Sequence, residues 1–332
     1  MGRVVRFHRT GGPEVLQLDD LPPGAPGQGE VRLKVQALGL NRAECMFRSG
    51  MYLEAAAFPS RLGYEAAGVV DAVGPGVTGL KVGDRVSTIP AFGLTQYGTY
   101  GEWAVVPAYA CATYPDHLGP RQAAAIWMQY ITAWGALIEY GKLQRGQAVL
   151  IPAASSSVGL AAIQVAKAAG AMAIAATRTS DKRARLLSAG ADHVVATAEE
   201  DLPARVMEIT AGKGADIIFD PVSGPYVETL AQAAAQGATL FIYGMLDARP
   251  TPFPVFAAFQ KAVVMRGYVL FWLTTQPQSL EKAKRYVHDG LKSGALEPIL
   301  DERRFTLDQI VDAHRYMEGN TQFGKIVVDV ET

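Results

Sequence analysis

Short apolar runs separated by Gly and Pro characterise the first third of the chain. Residues 31–37, 67–73, 84–89 and 103–106 are rich in β-branched and other apolar side chains, and each run predicts a strand. Turn-forming sequences such as Gly74-Pro75-Gly76 stand between them. Because short strands at this spacing are typical of small barrels, we predict a barrel-like β domain here.

The pattern changes at about residue 148, where apolar strands begin to alternate with helical segments. Strands are predicted at 148–152, 171–176, 193–195, 216–220 and 238–243, with helices at 158–169, 181–189, 202–211 and 226–235 between them. This alternation requires βαβ crossovers, so it predicts a parallel, doubly wound sheet. Helices at 279–293 and 307–318 and a closing strand at 324–330 complete the predicted α/β fold.

Composition and charge exclude several classes of function. The chain has 332 residues, which favours two domains, and its net charge of −1 comes without a basic run, so neither nucleic acid nor an anionic membrane is an expected partner. Charges interrupt the N-terminus where a signal peptide needs an apolar core, and the weakly charged stretch 122–138 is short for a membrane span. Two cysteines, Cys45 and Cys111, argue against a disulfide framework. We therefore expect a cytoplasmic protein, with 122–138 as a buried helix.

A strand, a tight turn of small residues and an amphipathic helix follow one another between residues 148 and 170. The free amides and positive dipole end of a helix N-terminus stabilise a pyrophosphate, so we predict dinucleotide binding by this turn. Glycines are expected at two places where Ala153 and Ser156 stand, and serine hydroxyls can donate to phosphate in compensation. The alternative is a capped helix without a ligand, which the further βα units disfavour. The predicted contacts are Ala154, Ser155, Ser156, Ser157, Val158 and Gly159.

Cations follow the second predicted strand of this region. The position lies about 20 residues past the phosphate turn, where NAD enzymes carry an acid for the ribose and NADP enzymes carry a cation. Arg178 and Lys182, with Thr177 and Ser180 as neutral donors, can meet a 2′-phosphate. No acid stands at the strand end, and Asp181 is interpreted as an acid in the first turn of the next helix. The alternative is a solvated Arg and Lys at the start of a helix. We predict NADP(H) as the cofactor.

Eight short motifs, in order and spacing, resemble the medium-chain dehydrogenase/reductase superfamily, in its zinc-free, zeta-crystallin-like quinone oxidoreductase branch. The resemblance covers nearly the whole chain. The motifs are Gly39-Leu-Asn-Arg-Ala-Glu44, Arg48-Ser-Gly-Met-Tyr52, Leu62-Gly-Tyr-Glu-Ala-Ala-Gly-Val-Val70, Val82-Gly-Asp-Arg-Val86, Gly98-Thr-Tyr-Gly-Glu-Trp103, Met128-Gln-Tyr-Ile-Thr-Ala133, Ala189-Gly-Ala-Asp192 and Gly324-Lys-Ile-Val327.

The resemblance implies two domains and their boundaries. A GroES-like β-barrel catalytic domain is expected at 1–124, completed by 292–332, and a Rossmann NADP-binding domain at 125–291. Zinc-dependent relatives place Cys, His and Cys where this chain has Asn41, Tyr64 and Met128, and none of these three is a good zinc ligand. No metal is therefore expected. The ends of the fourth and fifth strands of the predicted sheet add Val222, Ser223, Tyr243 and Gly244 as cofactor contacts. Further cofactor contacts implied by the family are Asn41, Thr132, Phe271 and Lys325, and for Lys325 a surface role is the alternative.

Without a metal, the expected acceptors are those that take hydride readily, namely quinones and α,β-unsaturated carbonyl compounds. In the family, the nicotinamide lies in the cleft between the domains and delivers hydride to the acceptor. Tyr52 and Tyr64 are candidate proton or hydrogen-bond donors, and Asn41 is a candidate for binding the substrate oxygen; for each, plain packing or capping is the alternative. Glu44 and Glu65 are expected to be structural partners of nearby arginines.

Several interpretations stay open from the sequence. The aromatic residues Trp127, Tyr130, Tyr243, Phe271 and Trp272 are candidates to line an apolar acceptor pocket, although aromatic residues more often form core. A non-catalytic NADPH-binding sensor or structural protein is the alternative to an enzyme, and an alcohol dehydrogenase is disfavoured by the missing zinc ligands. Relatives often form homodimers through a sheet edge, and the β-rich segment 263–271 is the candidate for that contact.

Overall fold

A computed structural model describes residues 1–330, so the last two residues of the predicted segment 292–332 lie outside the described chain. The chain divides into two compact units. The first comprises Met1–Met128, Leu273–Lys292 and the residues from Glu297 onward, and the second comprises Gln129–Trp272 and Ser293–Leu296. The predicted domain boundaries at 124/125 and 291/292 stay a prediction. None of the described helices is both long and apolar enough to span a membrane.

The first unit is built on antiparallel strands. Its elements in the first part of the chain are β1 (Gly2–Phe7), β2 (Leu16–Leu21), β3 (Glu30–Gly39), α1 (Arg42–Ser49), β4 (Ser60–Arg61), β5 (Glu65–Val73), β6 (Arg85–Thr88), β7 (Trp103–Pro107), β8 (Cys111–Thr113) and α2 (Pro120–Ala123). β3 is the central strand, since it pairs with both β5 and β7. Val31, Leu33 and Val35 alternate along it and are fully buried, which is the period that a half-buried strand requires.

The second unit contains a six-stranded, all-parallel sheet within the described residues. Its elements are α3 (Trp127–Trp134, which begins in the first unit), β9 (Ala148–Ile151), α4 (Ser157–Ala168), β10 (Met172–Thr177), α5 (Arg183–Ser188), β11 (His193–Ala196), α6 (Leu202–Ile209), β12 (Ala215–Asp220), α7 (Tyr226–Gln232), β13 (Ala234–Ile242), α8 (Val255–Lys261), β14 (Val264–Gly267) and α9 (Phe271–Thr274, which ends in the first unit). The strand order is β11-β10-β9-β12-β13-β14. This sheet confirms the predicted doubly wound α/β fold, and its order reverses between β9 and β12.

One fully buried aliphatic side chain from each of five adjacent strands forms the core of the second unit. These residues are Leu150, Ile174, Val195, Ile218 and Leu240. Strands covered on both faces need apolar side chains in both directions, which explains why they read as continuous apolar runs.

The chain returns to the first unit with α10 (Pro277–Ser293), β15 (Phe305–Thr306), α11 (Ile310–Glu318) and β16 (Val327–Asp329). The last residue of α10, Ser293, belongs to the second unit, and the rest of the helix belongs to the first. β16 pairs antiparallel with β3, with Val327 opposite Gly39, and joins a seven-stranded sheet of the described chain. The pairs of this sheet are antiparallel except for β15 with β16, which is parallel. The predicted closing strand 324–330 is therefore present but shorter.

Three predicted elements were wrong in their extent. The helix predicted at 226–235 ends at Gln232, and β13 begins at Ala234 because the Ala215 amide donates to the Ala233 carbonyl. The run of alanines there carries no polar marker of that boundary. The stretch 122–138 is not one helix: α2 ends at Ala123, α3 follows, and a π-helix begins at Gly135. The β-rich segment 263–271 gives only the strand β14, and Phe271 begins a helix.

A buried histidine on α11 links the stability of the first unit to pH. Arg48 Nη1 lies 2.9 Å from His314 Nδ1. Because an arginine side chain only donates, His314 Nδ1 must accept this hydrogen bond, and the imidazole proton lies on Nε2. Burial and the adjacent Arg48 charge lower the pKa of His314 to about 3. The unfolded histidine titrates at about 6.5, so the neutral folded form is favoured and stability is lost as pH falls below that value.

We expect the His314→Asn variant, which keeps an acceptor for Arg48, to lack this pH dependence. The wild type should lose about 1.4 kcal/mol of unfolding free energy per pH unit below about 6.5 more than the variant does. Urea unfolding at several pH values between neutrality and pH ~4.5 measures this difference, with the exposed His117→Asn as a control. Parallel pH curves for the wild type and His314→Asn would contradict it.

Candidate functional site

The turn after β9 is shaped by two close backbone approaches. Ala153 has a φ of +47°, a left-handed conformation that ordinarily favours glycine. At Gly159 a Cβ atom would lie 2.7 Å from the Ala154 Cα, so only glycine fits where α4 crosses the turn. Ala153 therefore occupies one of the expected glycine positions with a strained backbone, whereas Gly159 fills its position for a steric reason.

The backbone at position 156 does not require glycine, contrary to the expectation from the motif. Its backbone is extended (φ −71°, ψ 161°), and its hydroxyl oxygen accepts the Gly159 amide at 3.1 Å as the N-cap of α4. The serine thus caps the helix, and its hydroxyl proton remains to be donated. The amides of Ser157 and Val158 lie in the first turn of α4, whose N–H groups have no partner within the helix.

The end of β10 joins this turn through a side-chain contact. Lys182 Nζ donates to Ser155 Oγ at 3.1 Å, and Arg178 is exposed one residue after Thr177, the last residue of β10. The structure therefore brings together the two predicted groups, the serine turn and the cationic strand end. An acid that the sequence reasoning missed also lies here, because Glu199 Oε1 accepts the Ser180 amide at 2.9 Å.

The loops that follow β12 and β13 are also joined by hydrogen bonds. Asp220, fully buried, accepts the amides of Val222 (2.7 Å) and Ser223 (3.0 Å), and burial raises the pKa of its carboxyl. Ser223 has a φ of +64°, and its hydroxyl donates to the Gly244 carbonyl at 2.6 Å. These contacts hold the predicted residues Val222, Ser223 and Gly244 in one place.

Tyr243 follows β13 at this edge of the sheet, and its hydroxyl has no hydrogen-bond partner in the described chain. Its ring stacks on Phe219 with centroids 4.0 Å apart, and burial raises its pKa well above the usual value, so it is a neutral donor. Its buried hydroxyl has no hydrogen-bond partner within residues 1–330. A buried hydroxyl without a partner costs free energy, which a ligand at the carboxyl ends of the strands would recover. The capped helix start, the switch point and this hydroxyl together fit a dinucleotide.

A network of buried charges surrounds Asn41 in the first unit. Glu44 Oε2 accepts the Asn41 amide (2.5 Å) and the Tyr100 hydroxyl (2.7 Å), and Glu44 Oε1 accepts the Tyr64 amide (2.9 Å). Burial raises the pKa of Glu44. The carboxylate thus fixes the start of α1 against the segment before β5.

Lys325 lies at the centre of the same network. Its fully buried ammonium donates to Asn41 Oδ1 at 2.5 Å and forms an ion pair with Glu65 Oε2. Glu65 Oε1 in turn accepts the amides of Trp127 (2.8 Å) and Met128 (2.9 Å). An ammonium has three donors, and two are directed at these protein acceptors.

The residues at the zinc position of the family do not fit a zinc ion. Asn41 directs its oxygen at a buried ammonium, which would repel a metal cation, and Tyr64 and Met128 are poor ligands. Within residues 1–330, no three His, Cys, Asp or Glu side chains are grouped so that they would hold a metal.

The two candidate tyrosines lie together. Tyr64 is fully buried and its hydroxyl donates to the hydroxyl oxygen of the half-buried Tyr52 at 3.3 Å. Burial, the largest cause, raises the pKa of Tyr52 to about 12 and that of Tyr64 further. With Tyr64 as donor, the proton of Tyr52 is left for another acceptor.

Several expectations need correction. Glu44 and Glu65 do not pair with arginines: their partners are Asn41, tyrosines, Lys325 and backbone amides, which the local sequence around each acid does not reveal. Trp127 is core, since its indole N–H donates to Ser87 at 2.8 Å.

The remaining candidates lie on the helices α3 and α9. Tyr130, also buried, donates to Gln164, and Thr132 is buried in α3. Phe271 is half-buried at the first turn of α9. The exposed Trp272 packs edge-to-face on Tyr140 and Tyr268.

Comparisons with known proteins agree with this architecture. Residues 27–116 match the family described as alcohol dehydrogenase GroES-like domain, and residues 157–285 match zinc-binding dehydrogenase. The chain is 31% identical over 327 residues to quinone oxidoreductase 1 of Escherichia coli (strain K12), covering 98% of each chain. These matches confirm the predicted GroES-like and Rossmann fold.

Two solved structures align along almost the whole chain. The structure of Escherichia coli quinone oxidoreductase complexed with NADPH is 29% identical and aligns with a TM-score of 0.90 over 98% of this chain and 99% of that one. A structure described as an NAD-dependent alcohol dehydrogenase is 32% identical and aligns with a TM-score of 0.92 over 99% of this chain and 100% of that one.

The capping role of Ser156 predicts a difference between two small substitutions. Ser156→Ala should lower the unfolding free energy by about 1 kcal/mol, because the Gly159 amide loses its acceptor, whereas Ser156→Gly should cost only a few tenths of that. Urea unfolding of the ligand-free protein measures both. Equal stabilities for wild type, Ala and Gly variants would show that the hydroxyl does not stabilise α4.

The buried ion pair predicts strong coupling between Lys325 and Glu65. Lys325→Met should cost about 3–5 kcal/mol, because it leaves a buried carboxylate without its counter-ion. Glu65→Gln should lower the unfolding free energy much less in the Lys325→Met variant than in the wild type. The double-mutant cycle should therefore give a coupling energy above about 1 kcal/mol. Unfolding free energies that simply add would contradict a direct interaction.

Proposed function

The chain belongs to the quinone oxidoreductase branch of the medium-chain dehydrogenase/reductase superfamily, and from this premise we propose that it transfers hydride from NADPH to a quinone or an α,β-unsaturated carbonyl compound. It is an oxidoreductase of the quinone oxidoreductase type by its full-length relatives. The choice of NADPH and the class of acceptor are the parts that we propose.

The observation that carries the cofactor proposal is the buried, unpartnered hydroxyl of Tyr243 beside the reversal of strand order. Backbone amides at the start of α4 and the hydroxyls of Ser155 and Ser156 suit the pyrophosphate. Arg178 and Lys182 suit the 2′-phosphate. A relative of similar length, from Escherichia coli, has been solved with NADPH, which supports the same cofactor here.

The acceptor proposal is supported by the tyrosine pair in the first unit. When bound, the reduced nicotinamide supplies a hydride, and negative charge then develops on the acceptor oxygen. Tyr52, with a pKa of about 12, stays protonated at neutral pH and donates a hydrogen bond to that oxygen. Tyr64 acts as a positioning residue, because its hydroxyl donates to Tyr52 and orients it.

The surface around Tyr52 favours an apolar acceptor. Met51 and Leu53, its neighbours in the chain, are both exposed. Exposed apolar side chains beside a polar donor are typical of sites for ligands that are largely apolar with one or two polar atoms. Quinones and enones have this character, and an alcohol dehydrogenase is disfavoured because Asn41, Tyr64 and Met128 cannot replace the zinc ligands.

Fluorescence titration and turnover separate the reductase from a non-catalytic NADPH-binding protein. We expect NADPH to bind and to be oxidised with 9,10-phenanthrenequinone or a simple enone as acceptor. Binding without turnover of either class of acceptor would favour the non-catalytic NADPH-binding protein. The replacement of expected glycines in the phosphate turn is the feature that supports this alternative. Failure to bind NADPH or NADH would overturn the proposed function.

Tyr52→Phe should lower kcat by about tenfold to a hundredfold with little effect on NADPH affinity, because it removes a donor to the developing oxyanion. Tyr64→Phe should lower kcat less, since it removes only the group that orients Tyr52. Steady-state kinetics with one quinone and one enone measure both variants. A Tyr52→Phe enzyme with unchanged kcat for both acceptors would exclude this hydroxyl.

We further propose a homodimer formed through the edge strand β14. β14 pairs only with β13 among the described strands, and α8, which precedes β14 in the chain and packs on β13, exposes Phe256 and Phe259, which are 82% and 81% accessible. An unpaired edge strand and exposed aromatic residues on the helix before it favour pairing with a second copy. Light scattering should give twice the chain mass, and Phe256→Glu with Phe259→Glu should give the monomer, whereas the exposed Leu187→Glu should not. A monomeric wild type would contradict this proposal.

A further inference from the structure

The loops that follow β10 and β11 run side by side in the second unit. The Thr197 amide donates to the Thr177 carbonyl at 2.8 Å, and the Ala198 amide donates to the Arg178 carbonyl at 2.9 Å. The parallel pairing of the two strands thus continues past their ends. As a result Glu199, which is distant in sequence from the cationic strand end, lies beside it in space.

The carboxylate of Glu199 already holds the donors of the first loop. Its Oε1 accepts both the amide of Ser180 (2.9 Å) and the hydroxyl of Ser180 (3.2 Å). Asp181, in the same loop, accepts the Thr179 hydroxyl at 3.0 Å. Asp181 and Glu199 therefore both stand with Arg178 and Lys182, and of these two acids only Asp181 is visible in the local sequence.

The charge on Glu199 should have opposite effects on the two nicotinamide cofactors. A 2′-phosphate carries between one and two negative charges, so a nearby carboxylate repels it and also withholds the Ser180 donors from it. The free ribose of NADH instead has a 2′-hydroxyl that can donate to a carboxylate, which is the role of the acid in NAD-dependent enzymes. Arg178 and Glu199 thus act in opposite directions at one place.

We propose that Glu199 is a specificity-determining residue that weakens the preference for NADPH and lets the protein also use NADH. This inference rests on the proposed function, because it concerns the cofactor of that site. It differs from the prediction made from the sequence, in which Arg178 and Lys182 alone decide the preference.

Glu199→Gln tests the charge while keeping the shape and the acceptor for Ser180. We expect the Kd for NADPH to fall about fivefold and the Kd for NADH to stay equal or rise, so that the ratio of the two changes by about fivefold or more. Arg178→Ala should change the same ratio in the opposite direction. Glu208→Gln, which removes an acid of α6 whose partner is Arg205, is the matched control and should leave the ratio unchanged.

The salt dependence separates an electrostatic effect from a structural one. Between about 50 mM and about 500 mM salt, the advantage of Glu199→Gln over the wild type in binding NADPH should shrink, because exposed charges are screened. Thermal melting of the variants without cofactor checks that the fold is retained.

Different results would overturn the inference and the proposed function. If NADPH binds but Glu199→Gln shifts both cofactors equally, or no more than Glu208→Gln does, the inference about Glu199 is wrong and the reductase proposal stands. If the wild type binds neither cofactor, the proposed function is wrong.

Discussion

The burial of Lys325 against Glu65 is the constraint on which the first unit depends. Two charges removed from water are tolerated when hydrogen bonds satisfy their remaining polar atoms, and here Asn41 accepts a second hydrogen bond from Lys325 while two backbone amides donate to Glu65. The contacts tie together the residue before α1, the start of β5, the start of α3 and the segment before β16. The C-terminal segment is thereby part of the domain formed by the N-terminal third, although Lys325 and Glu65 are 260 positions apart in the chain.

The second unit obeys a different constraint, which is the geometry of a parallel sheet. Because every strand runs the same way, the residues that follow β9, β10, β12 and β13 all emerge at one edge. That edge carries the capped start of α4, the cations after β10 and the unpartnered Tyr243 hydroxyl. The same rule places Glu199 beside Ser180, so the geometry that gathers groups for a phosphate also brings in a group that opposes it.

Much of the fold was predictable because the apolar pattern reports burial on each face of an element. β3 alternates and the strands of the second unit do not, and each pattern indicated the correct type of sheet. Boundaries were less predictable: the alanine run before β13 packs equally well in a helix or a strand, so only the pairing with β12 decides where α7 ends. The degraded phosphate motif misled in one respect, since Ser156 has an extended backbone that any residue adopts.

The sequence by itself determined the fold class, the family and the residue types at the zinc position, because these depend on local pattern and on the order of short motifs. It also indicated the cations after β10. Only the tertiary structure decided which acids oppose or neutralise which cations. Glu65 pairs with Lys325 and Glu199 with Ser180 across long separations in the chain, and no local pattern records them. The physical reason is that a charge interacts with whatever folding brings within a few ångströms, whereas hydrophobic periodicity reports only which face of an element is buried.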